Sequence, residues 1–200
     1  MDHIDELAQA LARFPGIGPR QGKRFVYYLL ATPAAERAKL AELIASLGKE
    51  VKQCPECLRF YNGTTATFCN YCSDSKRDDA LLMLVEKDQD LSAVERAGTY
   101  CGRYFVLGGV LTLTGKGAIR EKELVRIVEN RLKNNLKEVV LALSATSEGE
   151  HTADRVRELL APYRDDLKIS ELGRGLATGS ELEYSDAETL RAALTNRKES

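Results

Sequence analysis

Ala80-Leu81-Leu82-Met83-Leu84-Val85-Glu86 is a continuous apolar run closed by a carboxylate. A strand with one wet face alternates apolar and polar residues, and this run does not. It therefore predicts a strand covered on both faces, the pattern of a parallel sheet sandwiched between helices. The residues that follow fit that reading. A short helix over Leu91–Ala97 leads to a second strand at Tyr104–Leu107. Glu121–Asn134 places Leu124, Ile127, Val128 and Leu132 on one helical face, and Glu138–Leu143 is another buried-type strand. Thr152–Ala161 reads as a helix stopped by Pro162, and Leu167–Ser170 as a short strand. Ser185-Asp186-Ala187-Glu188 has the form of a capping box opening a last helix through Leu190 and Leu194. Strands alternating with helices predict an α/β sheet domain.

Upstream the character changes twice. Residues 53–78 hold Cys54-x2-Cys57 and Cys69-x2-Cys72 among turn residues, with little apolar periodicity. So short a segment has no core of its own and needs a staple. Each CxxC presents two thiolates from one tight turn, and two such turns complete a tetrahedral sulfur site with no position left for water. The spacing predicts one structural Zn²⁺ ion; redox dithiols and free buried thiols are the alternatives. Cys101 has no partner in sequence and reads as a small buried apolar residue.

Residues 1–52 read as all-helical. Ile4, Leu7, Ala8 and Leu11 recur at helical spacing, and Phe14-Pro15-Gly16-Ile17-Gly18-Pro19 breaks that helix. A second helix follows over Arg20–Leu30. Thr32-Pro33 reads as a cap and first helical residue of a third helix, with a stripe of Leu40, Leu43, Ile44 and Leu47. Gly16 and Gly18 permit a tight hairpin with open backbone N–H groups, and Arg20, Lys23 and Arg24 follow on the next helix. Backbone donors at a helix start beside cations suit a sequence-independent grip on DNA phosphates. The plain alternative is a helical hairpin with solvated basic residues.

A third candidate site lies where parallel strands end. Glu86 closes one strand, and Ser144-Ala145-Thr146-Ser147-Glu148-Gly149-Glu150 follows another. Glu86, Glu148 and Glu150 converging there would suit Mg²⁺ and phosphoryl chemistry, or an acidic contact surface. Thr114-Gly115-Lys116-Gly117 resembles a phosphate loop but has the wrong glycine spacing, and Gly117 stands where Ser or Thr would hold magnesium. His3 and His151 lack the neighbours of a metal or nucleophile site, and His151 reads as a helix-surface residue.

Composition bounds the classes. The 200 residues are 44% hydrophobic and 30% charged, which argues against wholesale disorder. No apolar run approaches the roughly 18 residues of a membrane span. The acidic N-terminus shows no basic-then-apolar leader, so the expected location is cytoplasmic. The net charge of −1 conceals an asymmetry. Residues 13–52 carry eight Lys/Arg against three Glu, whereas residues 143–188 carry eleven Asp/Glu against five Lys/Arg.

A helical hairpin, a four-cysteine motif and a βαβ domain, in that order, resemble the bacterial RecR family of recombination mediators over nearly the whole chain. Phe14–Pro19 with Arg24, the four cysteines, Val85-Glu86, Gly102–Gly109, Glu148-Gly149-Glu150 with Thr152-Ala153, and Gly179–Tyr184 with Thr189-Leu190 carry the likeness. The resemblance implies four parts: a helix-hairpin-helix DNA-binding unit (1–52), a four-cysteine zinc finger (53–78), a Toprim domain (79–175) and a C-terminal helical subunit-contact extension (176–200). It implies a ring-like homotetramer that clamps double-stranded and gapped DNA. It also implies partnership with RecO, and in some bacteria RecF, to load RecA onto gapped DNA coated by single-strand-binding protein. Arg20 and Arg24 match the family's DNA-contacting pair, and Glu86, Asp90, Glu148 and Glu150 match partner contacts on the Toprim edge. Toprim enzymes place Asp-x-Asp just before the Glu-Gly, where this chain has Ser144 and Thr146. A hydroxyl is a poor substitute for an anionic Mg²⁺ ligand, so no catalytic residue is expected. The alternatives are a Mg²⁺-dependent Toprim nuclease, primase or topoisomerase-like enzyme, and a zinc-ribbon adaptor acting through protein contacts alone.

Overall fold

The computed structural model describes residues 2–63, 65–114 and 117–197. Gly115 and Lys116 of the phosphate-loop look-alike lie outside them. The chain divides into two compact units, residues 1–51 and 52–200.

The first unit is helical: α1 (His3–Leu11), α2 (Pro19–Ala31) and α3 (Ala34–Glu50). Asp2 caps α1 by accepting the Asp5 N–H at 2.8 Å. Helices α1 and α2 pack through small residues. Ala8 and Val26 are buried, and a Cβ on Gly22 would stand 2.5 Å from the Ala8 carbonyl oxygen. Only glycine permits that approach. The entry to α3 differs from the expected cap: Thr32 ends α2, its hydroxyl donating to the Tyr28 carbonyl, and Pro33 is the N-cap. A Thr hydroxyl one turn beyond an unpaired carbonyl finds that acceptor before it finds the next helix. The Leu40, Leu43, Ile44 and Leu47 stripe is helical as expected but exposed, and α3 buries no residue.

From residue 51 onward the chain forms a small two-stranded sheet of β1 (Val51–Gln53) and β2 (Phe60–Asn62), followed by α4 (Asn70–Ser73). A four-stranded parallel sheet then forms in the order β4-β3-β5-β6, from β3 (Asp78–Val85), β4 (Gly102–Val106), β5 (Glu138–Ala142) and β6 (Lys168–Glu171). The connecting helices are α5 (Asp88–Ala97), α6 (Glu121–Leu132) and α7 (Ser147–Leu159), and α8 (Ala187–Thr195) is the last α-helix of the described residues.

Central β3 explains the apolar run. Leu82 and Leu84 enter one core with Phe105, Leu124, Val128 and Val156, while Met83 and Val85 enter the other with Leu91, Tyr104 and Val106. Val85 is in register with Val106 on one side and Ala142 on the other. Strand order places the switch in chain direction between β3 and β5, so Glu86 and Ser144 emerge at the crevice where open parallel sheets carry their sites.

Helix α7 starts five residues earlier than its apolar pattern predicts. Thr146 caps it by accepting the Gly149 N–H at 3.1 Å, a signal that lies in local hydrogen bonding and not in hydrophobic spacing. The last helix is capped by Asp186, which accepts from both Glu188 N and Thr189 N, and not by Ser185. Cys101 corrects another expectation: it is exposed. It lies in the turn before β4, where its carbonyl accepts the Asp78 N–H and its side chain faces outward.

Substituting Gly22 by Ala forces backbone against backbone at α1–α2. The expected cost is about 1–3 kcal/mol, read as a lower thermal midpoint for Gly22→Ala, whereas Gly48→Ala, with open space around it, destabilises nothing.

Candidate metal centre and nucleic-acid interface

The four cysteines converge. Their sulfur atoms all lie within 4.8 Å of one another, with Cys57 Sγ 3.5 Å from Cys69 Sγ. A tetrahedron with metal–sulfur bonds of about 2.3 Å has edges of about 3.8 Å, so the arrangement fits a closed four-sulfur site for a metal ion. Cys54, Cys57 and Cys69 are fully buried and Cys72 is partly so. Two turns build it: Leu58 N–H donates to the Cys54 carbonyl, and Cys72 and Ser73 N–H groups donate to the Cys69 carbonyl. Leu58 takes a left-handed φ of 59° to close the first turn and plants its side chain in the sheet's core. Hydrogen bonds from Cys57, then Cys69 and Cys72, hold the Cys54 thiol far below its ordinary pKa, and the bond to Cys54 pushes Cys57 up.

This knuckle is tied to the sheet. Val106 N–H donates to the Cys57 carbonyl at 2.8 Å, and Arg120 Nη1 donates to the carbonyls of Leu58 and Val106. Arg103 Nη1 donates to the Tyr71 and Cys72 carbonyls. Tyr71 is held by two guanidiniums, with Arg59 at 4.5 Å and Arg77 at 4.7 Å from its ring centre. Arg77 also pairs with Glu95 at 2.6 Å. None of these arginine roles is visible in sequence, because each depends on residues 6 to 62 positions away.

The hairpin between α1 and α2 turns at Gly16, whose φ of 76° is left-handed. Gly18 is the N-cap of α2, Pro19 its first residue, and no side chain caps it. The first-turn N–H groups and the positive end of the helix dipole therefore stay open to an anion. Arg20 is exposed with no hydrogen bond or ion pair among the described residues, and Arg24 only touches Gln21 at 3.4 Å. Lys23 differs: its ammonium pairs with Asp5 of α1 at 3.0 Å, which raises its pKa.

The acidic edge is rearranged relative to expectation. Among the described residues the four cysteines are the only group of three or more His, Cys, Asp or Glu able to share a metal ion; Glu86, Glu148 and Glu150 do not form one. Glu86 is buried and accepts the Ser144 N–H at 2.7 Å. Asp90 accepts the Lys87 N–H at 2.9 Å and caps α5. Glu150 pairs with Arg174 from the C-terminal segment. Glu148 alone of the four has no side-chain partner among the described residues. Thr146, at one of the positions where a Toprim enzyme has Asp, commits its hydroxyl to the α7 cap.

Glu86→Ala removes the acceptor of the Ser144 N–H, an expected loss of about 1 kcal/mol in urea unfolding. Glu86→Gln keeps an acceptor oxygen and is expected to recover most of it.

Comparison with known proteins follows the same parts. Residues 4–47 match the family described as RecR, helix-hairpin-helix; residues 80–172 match the Toprim domain; residues 175–198 match RecR, C-terminal. The recombination protein RecR of Cereibacter sphaeroides (strain ATCC 17029 / ATH 2.4.9) is 37% identical over 195 residues, 98% of this chain and 96% of its own length. That of Methylobacterium nodulans is 39% identical over 194 residues, 97% and 94% respectively. That of Cutibacterium acnes is 35% identical over 195 residues, again 97% and 94%. With its hairpin, its sheet and its C-terminal segment each matched and near-complete overlap with these relatives, the chain belongs to the RecR family.

Proposed function

We propose that this protein is a non-catalytic DNA-binding mediator of recombinational repair that grips duplex and gapped DNA through the α1–α2 hairpin. The observation that carries the reading is the uncapped start of α2 beside an unpaired Arg20. Gly16 and Gly18 let a phosphate approach the backbone, and Arg20 and Arg24 supply charge. Lys23 serves chiefly to clasp α2 to α1 through Asp5 and adds to the local field. The metal is Zn²⁺: four thiolates in a closed tetrahedral set favour it over hard cations and leave no open position for catalysis.

The absence of Asp at Ser144 and Thr146, with Glu86 committed to a backbone N–H, supports a non-catalytic Toprim edge. On this reading the edge receives a basic partner, RecO and in some settings RecF, in the course of loading RecA onto gapped DNA. Glu148 meets that partner first; Glu150 is shared with Arg174, and Glu86 and Asp90 shape the edge from within. The exposed stripe of α3, and Leu182, Tyr184 and Leu194 near the C-terminus, are the surfaces on which copies assemble, as a tetrameric clamp requires. Several copies multiply a weak single-site grip.

Two measurements test this. Arg20→Ala with Arg24→Ala is expected to weaken duplex binding about tenfold or more, with the slope of log K against log salt shallower by about 2; parental affinity in the double variant removes the hairpin as the DNA site. If the parent protein itself bound neither duplex nor gapped DNA at low salt, the adaptor reading would replace this one. Metal analysis is expected to find one zinc per chain, and chelation to lower the thermal midpoint of the sheet unit, because the knuckle is built into it.

A further inference from the structure

The knuckle and helix α6 enclose a polar furrow that the hairpin reading does not use. It comprises two concavities of about 360 and 260 Å³ that share Glu56 and Asn130. Its walls are already neutralised. Arg103 pairs with Asp79 at 2.7 Å, and Arg131 pairs with Glu56 at 3.1 Å. Of the other charges, Arg126 and Lys133 are cations and Glu129 is an anion, so the lining as a whole keeps a net charge of +1. The side chains of Arg126 and Lys133 line the furrow and make no hydrogen bond or ion pair among the described residues. Glu129 sits three residues after Arg126 and four before Lys133, where it would ordinarily neutralise both. Instead it accepts the Tyr163 hydroxyl at 2.6 Å.

Asn130 on the same helical face and Asn134 in the turn after α6 also line the furrow; the Asn134 amide donates to the Asn130 carbonyl, and Asn130 commits no side-chain atom to the described protein. At the far end of the furrow stands Phe68, an aromatic residue 41% exposed beside the cysteine cluster. Arg126 and Lys133 lie about 10 Å apart along the helix axis. Paired cations for phosphates, amides for base edges and an open aromatic face for stacking are the chemistry of single-stranded nucleic acid. A duplex keeps its bases stacked and has none to offer Phe68.

We propose that this furrow is a second nucleic-acid site that takes a single DNA strand, with Arg126 and Lys133 on the backbone and Phe68 under a base. The inference rests on the DNA-binding reading above only in taking DNA as the ligand. It gives a gapped substrate two distinct contacts: its duplex at the hairpin and its unpaired strand at α6.

The test compares fluorescein-labelled oligo(dT) with a blunt duplex, by anisotropy at low salt on the full chain. Arg126→Ala with Lys133→Ala is expected to weaken oligo(dT) binding about tenfold and to flatten its salt slope by about 1.4, two phosphates at about 0.7 each. Duplex affinity is expected to stay within about twofold, well below the change made by losing phosphate contacts. Phe68→Leu, checked for an unchanged thermal midpoint, is expected to weaken oligo(dT) without altering the salt slope, and parental affinity in that variant overturns the stacking contact. Unchanged oligo(dT) binding in the Arg126/Lys133 variant overturns the proposal, as it would if the furrow held a peptide. Equal losses on both substrates overturn it too, since they mark a general field and not a site. Should Arg20→Ala with Arg24→Ala leave duplex binding intact, the hairpin assignment fails, while the oligo(dT) result still decides the furrow.

Discussion

The hydrogen bond from Val106 N–H to the Cys57 carbonyl, 2.8 Å long, joins a segment that cannot fold alone to a strand that would otherwise be an open edge. On one side stands a cysteine knuckle with no apolar periodicity. On the other stands β4, at the end of the sheet order. An exposed strand edge invites pairing with other chains. The knuckle covers part of this one, and in return Leu58 gains a place in the main core. Arg120 and Arg103 extend the joint, each donating to carbonyls of the knuckle. The four-sulfur site and the sheet are therefore one packed unit, so a metal ion held there would bear on the stability of the whole domain.

The same arginines show how charge is deployed in this protein. Arg77, Arg103 and Arg131 are nearly buried and paired with Glu95, Asp79 and Glu56. Such pairs add specificity of docking more than net stability, since desolvation offsets most of the attraction. The acidic edge is treated in the same way. Three of its four carboxylates are occupied: Glu86 by a backbone donor, Asp90 by a helix cap, Glu150 by Arg174. A net charge of −1 thus says little about any one surface. What matters for a ligand is which charges remain unpaired after folding, among them Arg20 at the start of α2, and Arg126 and Lys133 on and just after α6.

Much of the fold is legible from residues 80–86 and the helical stripes, because burial on both faces of a strand leaves a continuous apolar signature. The cysteine site is legible because two CxxC turns have few other uses. The start of helix α7 is not, since Thr146 and Gly149 carry no hydrophobic signal. Cys101 is expected inside because free cysteines usually are; its position in the turn before β4 puts it outside. The three-carboxylate site fails for a related reason: proximity at a strand edge does not say which way a side chain turns, and Glu86 turns to a backbone N–H.

Local spacing alone is enough to specify the α/β class, the sulfur donor set and the glycine hairpin, because each is written in short stretches of neighbouring residues. Which charges are free is settled only by packing. Lys23 looks equivalent to Arg20 and Arg24 in sequence, yet Asp5 claims it. Glu129 looks like a neutralising neighbour of Arg126 and Lys133, yet Tyr163, 34 residues away, turns it aside. Pairing of charges is a long-range choice made by packing, and no local pattern encodes it.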